Sequence, residues 1–259
     1  MTTLSLSPPA TRRRTAFSKI VRNEARLAWR RPIGLIGGVG IPVVLLIIFG
    51  ELPAFQQPTA ALGGFTAFEL YVPVLVVFSL AMLALLGLPV PLASYRELGV
   101  LRRLSTTPVS PTWVLAAQGV VQGCVALITM VVIFVGAMVA FGVSAPRNPG
   151  GVVLSIGLSI AGFFPIGLVI AAISRTASGA SVVGRIAFFP LMFFAGLWLP
   201  RQLMPTVLLD ISNYSPLGAA VEAIQYAMLQ GFPPVAPLLV LAAYALAFGF
   251  LAKRFFRWE

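Results

Sequence analysis

Long apolar runs, separated by short polar clusters, dominate the chain from residue 32 onward. Charged residues are absent from 32–50, 70–95, 104–146, 148–174, 186–200 and 223–252. A helix needs about 20 apolar residues to cross a bilayer. With polar ends and Pro/Gly punctuation trimmed, the runs predict six spans, near 33–50, 70–93, 113–141, 151–173, 182–199 and 235–252. In the fifth, Arg185 falls one turn inside the end, where a long side chain can snorkel back to the headgroups. The expected fold class is an all-α polytopic membrane protein: six transmembrane helices, an N-terminal amphipathic interfacial helix and a short extracellular or re-entrant helical element before the last span. The chain reads as a single transmembrane domain over 1–259. Within it, 1–32 forms a tail and amphipathic helix, 33–200 holds spans one to five, 201–234 is the extracellular element, and 235–259 holds span six and a tail.

Composition sharpens this picture. Apolar residues make up 59 % of the chain and charged residues 10 %, against about 45–50 % and about 25 % in soluble globular proteins. So few charged groups cannot cover a water-facing surface. The sequence has no His and a single Cys, Cys124, which removes the commonest general base, most zinc sites and any internal disulfide. Neither lysine, Lys19 or Lys253, follows a G-x-x-x-x-G run. The chain therefore lacks a Walker A phosphate loop and is expected to hold no cofactor and to hydrolyse no ATP by itself.

A net charge of +11 could suggest nucleic acid, but there is no polar basic domain to bind it, and no nucleic-acid partner is expected. The charge is instead distributed by topology. Six spans put both termini on one side. With that side cytoplasmic, only Arg147 and Arg201 of the 18 basic residues fall outside, together with the acids Glu51, Glu69, Asp210 and Glu222. This asymmetry follows the positive-inside rule and predicts a multi-pass protein of the inner or plasma membrane with both termini in the cytoplasm. Arg12–Arg14 lacks a directly following short apolar stretch, so no cleaved signal peptide is expected.

Three segments are too polar or too short to span. Residues 16–31 read as an amphipathic helix: at about 100° per residue, Lys19, Arg22, Arg26 and Arg30 share one stripe, opposite Phe17, Ile20, Val21, Leu27 and Ala28. Such a helix lies on a leaflet with its cations toward water and lipid headgroups. Residues 93–112 carry Arg96, Glu97, Arg102 and Arg103 among Leu98, Val100, Leu101 and Leu104, then break at Thr107-Pro108 and Ser110-Pro111. That is more patterned sequence than a minimal loop needs. In 201–234, Ser215-Pro216 has the form of a helix start, and the following 15 residues, with Glu222 and Gln225, are too short and too polar to cross.

The arrangement as a whole resembles the permease subunits of type-2 ABC exporters, in particular the daunorubicin-resistance-like drug and antibiotic export branch. The resemblance rests on the basic N-terminal helix, the six spans, the N-Y-S-P-L element before the last span, and the segment Arg96, Glu97, Gly99, Leu104, Thr107, Pro108, Val109 and Ser110 after the second span. It implies a transport subunit, not an enzyme. Two permeases (a homodimer or a heterodimer) would form the pathway, and two separate ABC ATPase subunits beneath would bind ATP and Mg. It also implies a coupling helix at about 94–111, with Arg96, Glu97, Gly99, Arg102 and Arg103 contacting the ATPase. Hydrophobic drugs, antibiotics or lipid-like molecules are the implied cargo. Phe163, Phe164, Phe189, Phe193 and Trp198 are candidates to line its path, because aromatic walls adapt to large apolar molecules. An ion-driven secondary transporter is the alternative. It needs an ionisable group or broken helix near mid-membrane; no acid lies there, although Pro73, Pro89 and Pro91 interrupt the second span.

Overall fold

A computed structural model describes residues 10–30, 36–100 and 112–255. Among these the regular structure is helical, with one isolated bridge between Pro58 and Thr66 and turns and loops between the helices. An amphipathic α1 (Ala10–Arg30) comes first. A π turn at Ile36–Gly40 leads into α2 (Ile41–Glu51), and α3 (Ala67–Met82) passes through a second π turn, Leu83–Gly87, into α4 (Pro89–Glu97). Then come α5 (Thr112–Phe141), α6 (Pro149–Ile173) and α7 (Ala177–Phe194), the short α8 (Thr206–Tyr214) and α9 (Pro216–Leu229), and α10 (Val235–Phe255). Five stretches are long and apolar enough to cross a membrane: Ala67–Glu97, Trp113–Phe141, Pro149–Ile173, Ala177–Phe194 and Val235–Phe255. A shorter apolar helix, Ile36–Glu51, stands where the first span is expected. The fold is thus an all-α polytopic membrane protein.

Local signals start and stop these helices. Thr66 and Glu69 form a capping box on α3, the Thr66 hydroxyl accepting from the Glu69 N–H at 3.1 Å and the Glu69 carboxylate from the Thr66 N–H at 2.9 Å. Asn148, Thr176 and Ser215 cap α6, α7 and α9 through the N–H groups of Gly151, Gly179 and Gly218. After α5, Gly142 takes φ +70 and the Val143 N–H returns to the Ala137 carbonyl, closing the helix as a left-handed cap does.

The second span is the axle of the bundle. Its apolar window is 83 % buried, against 17 % for α10 at the periphery, and α3 buries every residue from Leu70 to Ala81. Within it the Leu83–Gly87 turn replaces ordinary helix because the ladder loses donors there. The Leu88 N–H bonds to the Leu83 carbonyl at 2.9 Å rather than to Ala84, and Pro89 has no N–H to offer Leu85. Helices α6 and α10 run side by side in the same direction, Gly151 facing Pro233 and Gly162 facing the Leu241 carbonyl further along. Gly119 and Gly123 of α5, by contrast, face no neighbour within 4 Å among the described residues.

One expectation is corrected in position. The fifth span does not run over 182–199: α7 begins at Ala177 and stops at Phe194, and Gly196 turns the chain with φ +92. Its first turn, A-S-G-A-S, is too weakly apolar to read as membrane helix, but the Thr176 cap fixes it there. Arg185 consequently lies about 12 Å from the start of the helix at 1.5 Å per residue, deeper than one turn. It is exposed and donates to the Ser181 hydroxyl at 2.7 Å, back toward that end. The helical element before the last span consists of two helices, α8 and α9. α9 is enclosed by α3, α6, α7, α8 and α10, with Leu217, Ala219–Val221, Ala223 and Ile224 fully buried. Its 14 residues span about 21 Å, short of a bilayer's roughly 30 Å core.

A buried polar knot secures that element. Arg201, 7 % exposed, donates through Nη1 to the Ser212 hydroxyl at 2.7 Å and the Gly218 carbonyl at 2.6 Å. Its Nη2 donates to Asn213 Oδ1 at 2.6 Å and pairs with Glu222 at 2.8 Å. Burial pushes the Arg201 guanidinium down from its ordinary range, and Glu222 opposes that shift. At the other end of α9, the backbone N–H groups of Arg147 and Asn148 satisfy the Met228 and Ala227 carbonyls. The Gln225 amide donates to the Leu70 carbonyl at 2.9 Å, beside Pro73, which supplies no N–H of its own.

Candidate functional site at the α1 end of the bundle

Of the predicted contact residues, Arg96, Glu97 and Gly99 lie where the second span ends. Tyr95, Arg96 and Glu97 do not belong to a separate helix; they form the last turn of α4, continuous with the span. The helix is closed by Gly99, whose N–H bonds to the Arg96 carbonyl at 3.0 Å and whose φ of +66 favours glycine. Arg102 and Arg103, with Thr107 to Ser110, lie outside the described residues.

Three consecutive side chains point from this turn to three different helices. The Tyr95 hydroxyl donates to both carboxylate oxygens of Glu24 on α1, at 3.0 and 2.9 Å. Nη1 of Arg96 reaches the carbonyls of Ala171, Ala172 and Ser174, at 3.2, 3.0 and 3.3 Å, where α6 runs out of intrahelical donors. The Glu97 carboxylate accepts the Ala177 N–H at 2.9 Å, at the first residue of α7. A cation therefore sits on a helix C-terminus and an anion on the next helix N-terminus, the polarity the helix dipoles favour. The pair closes the short α6–α7 corner from both sides.

Helix α1 presents the expected faces. Lys19, Arg22, Arg26 and Arg30 are exposed, while Phe17 meets Trp113 of α5 edge-on at 6.1 Å between ring centres. Glu24 was not legible as a site residue: it falls among exposed polar neighbours, yet is 5 % exposed because Tyr95 and α5 close over it. Lys19, Ile20, Asn23, Glu24 and Leu27 form one wall of a cavity of about 430 Å³, with Tyr95, Val100 and Val114 opposite. Leu98 projects beside it, 66 % exposed.

The aromatic candidates are not brought together. Phe163 is fully buried in the central core, Phe164 and Phe193 are half-buried, and Phe189 and Trp198 share an exposed face with ring centres 6.5 Å apart. Among the described residues no three His, Cys, Asp or Glu side chains converge as metal ligands would. The corner is made of helix ends, the Arg96 cation and two carboxylates, Glu24 buried and Glu97 exposed.

A family model described as ABC-2 type transporter matches residues 15–229. The chain belongs to the ABC-2 type transporter family. Among curated proteins, the "Putative transport permease ycf38" of Pyropia yezoensis is 26 % identical over 204 residues, covering 76 % of this chain and 68 % of that protein. Its counterpart in Porphyra purpurea is 24 % identical over 202 residues, with the same coverage. Membership of the ABC-2 family and the spanning helices make the chain a multi-pass membrane subunit of a transporter.

Proposed function

We propose that this ABC-2 subunit is the membrane half of an ATP-driven exporter. It carries hydrophobic drugs, antibiotics or lipid-like molecules outward, driven by separate ABC ATPase subunits at the α1 end. Two permease chains, identical or related, enclose the path, and each engages one ATPase, which binds the ATP and Mg. The excess of basic residues at the α1 end supports a cytoplasmic placement of that face and of both termini, in the plasma membrane.

The observation that carries this reading is the three-way junction at Tyr95, Arg96 and Glu97. A push on the segment after Glu97 meets α1, α6 and α7 through direct bonds. Force from an ATP-driven partner can therefore reach the spans without first taking up slack in a loop. Gly99, Arg102 and Arg103 continue from the junction as partner contacts. Phe189 and Trp198, exposed together, are the aromatic candidates a cargo can reach from outside the chain, and Arg185 on the same helix is exposed as well.

The test is extraction in mild detergent with quantitation of what accompanies the chain. Equal amounts of an ATP-binding subunit are expected. A protein recovered alone, with transport driven by an ion gradient, overturns the proposal.

A further inference from the structure

Helix α4 is fastened at both ends to the same two neighbours. At its lower end Arg96 holds the α6 terminus and Glu97 the α7 terminus. At its upper end, the π turn that precedes it presents two carbonyls that the ordinary ladder has released, Ala84 and Leu85. The Ala84 carbonyl lies against Gly167 of α6 and the Leu85 carbonyl against Gly184 of α7, each so close that a Cβ on the glycine would overlap the oxygen. Between the two ends, Leu88 and Leu92 pack with Ala171 in a small cluster of their own, separate from the main core. Above the π turn the second span has additional company: α3 packs mainly on α2, α5 and α9, and more lightly on the upper parts of α6 and α7, where Phe78 meets Phe188 edge-on.

We propose that Arg96 and Glu97 are positioning residues. They lock α4, the lower half of α6 and the start of α7 into one rigid block, which moves relative to α3 about the Leu83–Gly87 turn. A helix segment bounded by a π turn and bonded at its free end can tilt only with whatever it is bonded to. Displacement applied after Glu97 is therefore delivered to α6 and α7 together. Without the two side chains, α4 would swing alone and the displacement would be spent in the α6–α7 corner. This inference rests on the ATPase-driven reading above for the source of the displacement, but not for the existence of the block.

The test uses the full chain with its ATPase in lipid nanodiscs, in a Cys124→Ser background. Spin labels are placed at Leu98→Cys and Ser178→Cys, both exposed positions on either side of the Glu97–Ala177 bond. A single label at Ile186→Cys, 68 % exposed on α7, reports arrival of the motion. The expected result is a narrow Leu98–Ser178 distance that stays the same with and without Mg-ATP, while the Ile186 spectrum changes on Mg-ATP addition. In Arg96→Ala/Glu97→Gln the distance should broaden, and the nucleotide-dependent change at Ile186 should shrink roughly five- to tenfold. Arg96→Lys, which still reaches a carbonyl, should recover part of it. Glu97→Gln alone, at an exposed side chain, gives the readout should the double variant fold poorly. A wild-type distance that shifts with nucleotide, or a double variant with unchanged distance and unchanged Ile186 response, overturns the block. If no ATPase associates with the wild type, the transport reading fails. The broadening, measured on the permease alone, still decides the block.

Discussion

Two arginines organise the two ends of this molecule, and they do so differently. Arg201 is sealed inside the α8–α9 element, with four partners from Ser212 to Glu222, one of them an acid. Arg96 is half-buried and, in the bonds resolved, holds three carbonyls at the end of a helix. A buried guanidinium with several partners is costly to remove, because the groups it held lose their compensation inside the fold. A cation resting on a helix terminus beside water costs less to remove, since solvent can replace what it held. The end carrying Arg201 is thus held by a buried polar knot, and the end carrying Arg96 by helix-end bonds at the edge of the bundle.

The sharpest break of this contrast is Arg201→Ala. It takes the cation from Glu222, itself 33 % exposed, and one hydrogen bond from each of Ser212, Asn213 and the Gly218 carbonyl, at a cost of about 3 kcal/mol. The expected result is a large drop in folded yield and in melting temperature in detergent. A variant with normal yield and melting would show that the knot is not structural. Next in size, Gly167→Ala drives a methyl into the Ala84 carbonyl. Overpacking of this kind costs about 1–3 kcal/mol, and the melting temperature should fall while the chain still inserts. Arg96→Ala gives up hydrogen bonds from a charged group, worth about 1.5–3 kcal/mol when fully desolvated. At this half-buried site the loss should fall below that of Arg201→Ala, and equal losses would erase the distinction between the two ends. Smallest of all, Lys19→Gln with Arg22→Gln on the exposed face of α1 should leave melting within about 0.5 kcal/mol. It should weaken binding of an isolated α1 peptide to anionic vesicles relative to neutral ones, the difference vanishing at high salt.

What the sequence made visible, and what it hid, follows the same physics. The spans were legible because hydropathy over 20 residues is a strong signal, and the Ser215-Pro216 start of α9 because capping chemistry is local. The exposed stripe of α1 was legible because it needs only helical periodicity. The start of α7 was hidden by five small residues whose helix is set by the Thr176 cap, not by hydropathy. Arg201 counted only toward charge topology, since its partners in α8 and α9 meet it through the fold. Glu24 looked like one more polar position on a surface helix until Tyr95, 71 residues away in sequence, closed over it. Pro89 and Pro91 marked an interruption in the second span. Only the packing shows that the chain continues through it as a π turn, with its freed carbonyls set against two glycines. Arg96 and Glu97 stood out as patterned charge, and what they touch within the chain was not readable from spacing.

In the proposed function, the end carrying Tyr95, Arg96 and Glu97 receives work from an ATP-binding partner. Leu98→Cys, in the Cys124→Ser background and carrying a photoactivatable cross-linker, tests it most directly, with Val207→Cys on α8 as its counterpart at the opposite end. The prediction is an adduct between Leu98→Cys and an ATP-binding subunit, with none at Val207→Cys. Capture of that subunit at Val207→Cys, or at neither position while it co-purifies with the chain, would contradict the account.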